Sequence, residues 1–403
     1  MAQVVMALFA VAMLLAACAP AAPAPTAPGQ APPGPQAPPQ APAASAPTAS
    51  TQTAGASPYG NAAEWERTQE AGKREGRVVV AGPGFPGLRN ALIEGFQRAH
   101  GITLEYLSLS GAEVVSRVDR EARTGGPTLD VYMGGFTGCW TMAERDQVED
   151  IRAYLLDPVA LAPAGWTGGQ LKFLEASPDM LPDSKCGLLN TQWVMTDLFV
   201  NRDLVPPASI RSWRDLLKPE YKGKIASFDP RRPGAAQTTV PYLSRLFGID
   251  YLRDLYVGQE VALTAEARQL AEWVARGAYP IGIALVQPAV EPLRAEGLPL
   301  ERVFPADGPG VLTPGSGSIL RIKNGPNPNA AAVFINWMAS KEAQEIWERE
   351  MLETSLRTDV SHQVPDYVIP KPGIQYPVDA ADPEQYFKYG ADARAALQQL
   401  LGR

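Results

Sequence analysis

Hydrophobic positions in the chain fall into short runs, separated by glycine-rich turns, in which two periods alternate. Glu64 to Lys73 has helical spacing, Gly76 ends it, and Arg77-Val78-Val79-Val80-Ala81 follows as a short buried strand. After the loop Gly82-Pro83-Gly84-Phe85-Pro86-Gly87, residues Leu88 to Ala99 predict a helix. Leu92, Ile93 and Phe96 share one face of it, and Gly101 lies beyond its end. The unit repeats, with Ile102 to Leu107 as strand, Ser108 to Gly111 as loop and Ala112 to Thr124 as helix. Asp130-Val131-Tyr132-Met133 predicts a third strand, followed by the loop Gly134-Gly135-Phe136-Thr137-Gly138. Successive strand–loop–helix units predict a parallel α/β sheet.

A second set begins past Leu188. Trp193 to Asn201 is expected to be a strand crossing between the sets, and Trp213 to Leu217 a short helix. Lys224 to Phe228 predicts a strand that runs into Asp229-Pro230-Arg231-Arg232-Pro233-Gly234-Ala235 and a helix ending at Phe247. Helices are expected over Glu266 to Arg276 and Pro288 to Glu296, with strands over Tyr279 to Leu285, Glu301 to Pro305 and Ser318 to Ile322. One long helix, Asn329 to Met351, then returns the chain to the first set. At 403 residues the chain exceeds the roughly 250–300 residues over which one core keeps growing, so two lobes are expected.

The N-terminus follows a different pattern. Met1 to Ala17 is apolar and ends in small residues before Cys18, the shape of a secretory h-region and cleavage site. It is short for a membrane span, which needs about 20 residues. Leu15-Ala16-Ala17-Cys18 resembles the bacterial lipobox, and no Lys or Arg precedes the apolar run, a departure from the usual basic n-region. That resemblance implies acylation of Cys18 and a mature protein anchored to a membrane without spanning it. Ala19 to Pro58 is uncharged and built from Ala, Pro, Gly, Gln, Ser and Thr, so it reads as a semi-rigid polyproline II tether.

Charge and chemistry narrow the function. With 36 Lys and Arg against 43 Asp and Glu, the net charge of −7 removes the electrostatic basis for a nucleic-acid partner. His100 and His362 are the only histidines, and GxSxG, HExxH and P-loop patterns are missing, so the chain reads as a binding protein rather than an enzyme, with no cofactor and no metal site. Cys139 and Cys186 remain after Cys18. In an oxidising compartment they are read as a disulfide, the alternative being two buried thiols that never meet.

Taken in order, several segments resemble the type II periplasmic-binding-protein fold, within the extracellular solute-binding family that includes ferric-iron, phosphonate, polyamine and thiamine receptors. They are Glu75-Gly76-Arg77-Val78-Val79-Val80, Asp130-Val131-Tyr132-Met133, Gly223-Lys224-Ile225-Ala226-Ser227-Phe228-Asp229-Pro230, Asn327-Pro328-Asn329-Ala330-Ala331, Phe334 to Gln344 and Leu356-Arg357-Thr358-Asp359-Val360. The resemblance implies two α/β lobes with mixed or parallel sheets and flanking helices. Two hinge strands join them, crossing near residues 190–200 and 308–318, and ligand sits in the cleft. It divides the chain into a leader (1–18), a tether (19–58), lobe 1 (59–192), lobe 2 (193–310) and a return to lobe 1 with a C-terminal segment (311–403). It also implies a monomeric lipoprotein, outside the cytoplasm at the cell surface or in the periplasm, that closes on a small-molecule solute and serves the permease subunits of an ABC importer.

Ligands of open α/β sheets sit at the C-terminal strand ends, which selects the candidate residues. In lobe 1 these are Gly84, Phe85, Ser108, Ser110, Gly111, Gly135, Phe136 and Thr137, with Trp140 nearby; the aromatic rings would stack on an organic ligand. In lobe 2 they are Asp229, Arg231, Arg232, Gly234 and Ala235, where a helix N-terminus and two guanidiniums favour an anion. Ferric receptors in this family carry a tyrosine pair after the strand that here ends at Leu285; those positions are Gln287 and Pro288, so an amide replaces a phenolate. The expected solute is a small anionic or zwitterionic organic compound. The alternatives are a ferric receptor with a non-standard site, drawing on Tyr242 or Tyr279, and a sensory lipoprotein without transport.

Overall fold

The computed structural model describes residues 58–175, 185–195, 198–232, 234–308, 310–378 and 389–402. The leader, Cys18 and the tether up to Ser57 lie outside the described residues. Helix α1 (Ala62–Glu75) starts where the Asn61 side chain accepts from the Glu64 N–H, and Gly76 ends it in the left-handed conformation. Strand β1 (Arg77–Gly82), helix α2 (Pro86–His100), strand β2 (Thr103–Ser108), helix α3 (Gly111–Thr124) and strand β3 (Val131–Gly134) follow as predicted. The loop expected after β3 is instead helix α4 (Phe136–Ala143), because Phe136, Cys139, Trp140 and Met142 bury one apolar face at helical spacing.

Lobe 1 then adds three strands, β4 (Val148–Glu149), β5 (Lys172–Glu175) and β6 (Lys185–Leu189). The crossing segment is two strands rather than one: β7 (Trp193–Met195), and β8 (Leu198–Asn201), which belongs to the second sheet. The second lobe continues with β9 (Ile225–Phe228), α5 (Ala236–Phe247), α6 (Ile249–Arg253), β10 (Ala262–Thr264), α7 (Ala267–Ala275), β11 (Ile281–Ile283), α8 (Gln287–Ala295) and β12 (Leu300–Arg302). β13 (Val311–Thr313) returns to β14 (Ser318–Ile322), and the long helix expected next is two, α9 (Pro328–Met338) and α10 (Lys341–Met351). Ser340 breaks it by taking an extended backbone and capping α10 at the Ala343 N–H. The last helix is α11 (Ala391–Leu401).

The strand order is β2-β1-β3-β14-β6-β5 in the first sheet, with β4 on β14, and β10-β9-β11-β8-β12 in the second. β1, β2 and β3 are parallel, as are β9, β10 and β11, so the loops after each set gather along one edge of their sheet. Each sheet has its own apolar core, and the second core also takes Val368, Ala393 and Leu397 from beyond α10. The structure joins Cys139 on α4 to Cys186 on β6, with Cα atoms 6.3 Å apart.

A buried polar knot closes lobe 1 over its non-contiguous sequence. The fully buried Asp130 carboxylate accepts from the Val79 N–H at 2.9 Å and from the Asn327 N–H and Nδ2 at 2.7 and 2.8 Å. Arg321 donates to the Asp130 and Gly325 carbonyls, each at 2.8 Å. β1, β3, β14 and α9 therefore meet at one carboxylate.

Between the sheets, β7 and β13 pair antiparallel, Trp193 with Thr313, Val194 with Leu312 and Met195 with Val311. The turn that follows β13 is held by Thr191 Oγ1, which donates to the Pro314 carbonyl at 2.7 Å, and by the Glu353 carboxylate, which accepts from the Ser316 N–H at 3.0 Å and Trp347 Nε1 at 2.9 Å. Gly315 has a φ of 56°, and a Cβ there would lie 2.2 Å from Glu353 Oε1, so the turn requires glycine.

Burial raises the Glu353 carboxyl to about 7, although the Ser316 and Trp347 hydrogen bonds pull it the other way. Its native value lies above its ordinary value of 4.5, so the stability it confers is complete below pH 4.5 and is lost as pH rises through about 7. Urea unfolding should show wild-type stability falling by on the order of 2 kcal/mol from about pH 5 to about pH 8 relative to Glu353→Gln; parallel profiles would contradict this.

Candidate functional site

The loops at the C-terminal strand ends bring part of the expected constellation together and draw part of it away. In lobe 1, Gly84 is exposed and Phe85 forms the N-cap of α2 without a side-chain hydrogen bond, its ring packed against the lobe core. Ser110, expected to offer its hydroxyl to ligand, is committed elsewhere: it donates to Glu113 Oε2 at 2.7 Å and accepts from the Glu113 N–H in a capping box. Gly111 is the first residue of α3, which begins one residue earlier than the loop boundary implied.

Gly135 is the N-cap of α4, and a Cβ on it would lie 3.6 Å from the Gly315 carbonyl, which places the start of α4 beside the hinge turn. Thr137 is half-buried in the first turn of α4. Phe136 corrects the stacking expectation. It is 5% exposed and meets Trp140 edge-on at 6.5 Å inside the core; an apolar ring on α4 gains more by burial than by waiting for ligand.

In lobe 2 the loop after β9 is held by Asp229, whose N–H donates to the Thr264 carbonyl at 2.8 Å. Arg231 grips the Asp229 carboxylate with Nε and Nη2, both at 2.9 Å, and its Nη1 donates to the Leu401 and Gly402 carbonyls at 3.3 and 3.1 Å. Burial alone would raise Asp229, but the Arg231 hydrogen bonds and charge, with the Arg232 charge, outweigh it and hold the carboxyl below its usual range. Arg231, expected to face ligand, braces this loop to the end of α11. Gly234 has a φ of 151°, and a Cβ there would lie 2.4 Å from the Phe228 ring. Ala235 follows as the N-cap of α5, with no side-chain hydrogen bond.

Arg232 is exposed and makes no side-chain hydrogen bond or ion pair among the described residues. It lines a cavity of about 450 Å3 whose other walls come from lobe 1: Leu109, Ala112, Glu113, Ser116, Arg117 and Arg120. The sequence reading missed this face of α3, although the spacing 113, 116, 117, 120 marks one side of a helix.

The turn from β11 to α8 carries the expected Gln287 and one feature with no advance signal. Ala284, 1% exposed, has a φ of 63°, a backbone state that costs a non-glycine residue about 1 kcal/mol or more. Three residues on, Gln287 opens α8 at 1% exposure, and its Nε2 has no hydrogen-bond partner among the described residues. The tyrosines named as substitutes for a ferric pair are engaged otherwise. Tyr242 accepts from the Gly310 N–H at 3.0 Å and is pushed up to about 12 by burial, and Tyr279 packs on Trp273 at 5.3 Å before β11 begins.

Removing the brace should be readable locally. Arg231→Ala leaves two helix-end carbonyls without their side-chain donor and the Asp229 carboxylate with only the backbone N–H of residue 231, a loss of about 1–3 kcal/mol. Hydrogen exchange should speed up across α11 and the loop after β9 while β1 and β3 keep their protection; unchanged exchange in α11 would refute the bracing role.

The sequence profile of the family described as "Bacterial extracellular solute-binding protein" matches residues 77–350, more than half of the chain. An uncharacterized protein of Haemophilus influenzae is 25% identical over 289 residues, covering 68% of this chain and 76% of its own. Among solved structures, the periplasmic binding protein AfuA of Actinobacillus pleuropneumoniae superposes with a TM-score of 0.63 at 19% identity, over 81% of this chain and 97% of its own. HitA of Pseudomonas aeruginosa does so at 0.60 and 16%, over 80% and 99%. At these identities the superpositions establish the fold, a two-lobed periplasmic-binding-protein fold of type II. The family is one of solute-binding proteins, and AfuA is a periplasmic binding protein. The chain belongs to the bacterial extracellular solute-binding proteins.

Proposed function

We propose that the protein is the lipid-anchored receptor of an ABC importer, capturing a small anionic or zwitterionic organic solute between its lobes. The observation that carries this reading is an imbalance at the cleft-facing strand ends, where donors are free and acceptors are taken. Helices α2, α4, α5 and α8 begin there without a side-chain cap, and Gln287 Nε2 and the Arg232 guanidinium have no partner among the described residues. The nearby carboxylates of Glu113 and Asp229 are occupied, by Ser110 and by Arg231. An oxygen-rich anion fits such a lining; a polyamine does not.

The neighbours bracket the choice. The AfuA structure holds fructose 6-phosphate and the HitA structure holds iron. Gln287 and Pro288 at the tyrosine-pair positions, with Tyr242 turned onto Gly310, favour the organic anion over the ferric ion. Lipidation at Cys18 and delivery to permease subunits complete the reading, supported by the lipobox-like Leu15-Ala16-Ala17-Cys18 and by the family.

A thermal-shift screen of the ligand-stripped protein tests it, against carboxylates, amino acids, phosphate esters, phosphonates, polyamines and ferric citrate. A ligand at 100 times its Kd stabilises by about 2.7 kcal/mol, so a clear upward shift is expected from an organic anion. A shift from ferric citrate or a polyamine alone would overturn the proposal.

A further inference from the structure

The cavity shared by α3 and the loop after β9 is the one place described above where free cationic side chains of both lobes line a single space. Its seven lining residues include three arginines. Arg117 is spent, since Nε donates to Glu121 Oε1 at 2.7 Å and Nη2 to Thr128 Oγ1 at 2.8 Å. Arg120 and Arg232 are not: neither guanidinium has a hydrogen bond or ion pair among the described residues, and Arg120 belongs to lobe 1 while Arg232 belongs to lobe 2. The Arg232 charge acts at longer range on Asp229, which Arg231 already holds. The acid in the wall, Glu113, has its carboxylate turned onto the Ser110 N–H and hydroxyl at 2.8 and 2.7 Å. Leu109 and Ala112 add an apolar side, and Ser116 adds a hydroxyl.

We propose that this cavity is the subsite for a doubly charged phosphoryl group of the solute, gripped by Arg120 from one lobe and Arg232 from the other. This rests on the anionic-solute reading above and names the class of anion. Two guanidiniums facing one space, with no carboxylate bonded to either, repel each other, and the repulsion opposes approach of the lobes. A phosphate monoester carries about −1.5 to −2 charge near neutrality and three acceptor oxygens, enough to serve both forks at once, whereas a monocarboxylate has one charge and two oxygens. The dianion therefore does more than bind: it turns a cross-cleft repulsion into two attractions. At about 450 Å3 the cavity takes the phosphoryl group with part of the carbon skeleton attached.

Isothermal titration of the full chain with inorganic phosphate, glycerol 3-phosphate and the best carboxylate from the screen decides it, using wild type, Arg120→Ala, Arg232→Ala and the Arg→Lys variant at each site. Both arginines are exposed, so the alanine variants should keep the unliganded melting temperature, which serves as the folding control. The expected result is that inorganic phosphate binds wild type, each alanine variant weakens it about tenfold or more, and lysine restores part of the loss. Phosphate binding that ignores both substitutions would overturn this subsite and leave the anionic reading intact. Carboxylate binding without phosphate binding would overturn the phosphoryl class. No binding of any anion by wild type would bring down both this subsite and the reading it rests on.

Discussion

Two strands of three residues each, β7 and β13, carry the chain between its sheets, and the geometry of the cleft depends on their pairing. A ladder this short is a weak mechanical link between two independently packed cores, so it can bend while each core keeps its shape. The hinge is nevertheless not loose. Thr191 and Glu353 hold the turn at Pro314 to Ser316, and Gly135 at the start of α4 lies against that turn. A change in hinge angle is thus felt directly at the cleft edge of lobe 1. The C-terminal segment adds a further tie, since the Leu312 N–H donates to the Pro377 carbonyl at 2.8 Å and α11 ends under the grip of Arg231.

The charge of the cleft runs against that of the molecule. A protein with a net charge of −7 does not draw anions from bulk solvent by its overall field, but at physiological ionic strength charges more than about 8 Å apart are largely screened. Local arrangement then decides what binds. In this structure local arrangement means acceptors that are already spent, Asp229 on Arg231 and Glu113 on Ser110, beside donors that are not. On the anionic-solute reading proposed above, selectivity arises from which partner each group has already found.

The fold was legible because its signals are periodic. The repeats from Arg77 to Met133 predicted β1, α2, β2, α3 and β3 closely, and β9 and α5 lie where the strand-to-helix pattern put them. What failed was local competition that a pattern does not show. Ser340 stops a helix that hydropathy alone would continue, and α4 forms where glycines suggested a loop. Ser110 and Arg231 were chosen for the right chemistry, yet each is claimed by a partner three residues away in one case and 170 in the other. Phe136 had the right address and the wrong direction. The cavity on α3 could have been anticipated from helical spacing, but its pairing with Arg232 depends on lobe packing, which no single segment encodes.

The most direct test of the account is the distance between the lobes. Spin labels at Glu94 on α2 and Arg268 on α7, in a Cys18→Ser background, report it by pulsed dipolar spectroscopy. Saturation with a phosphate ester that the protein binds should shorten and narrow the distance distribution. A distribution that stays unchanged at saturation would contradict the claim that the two sheets close on an anion around the β7–β13 hinge.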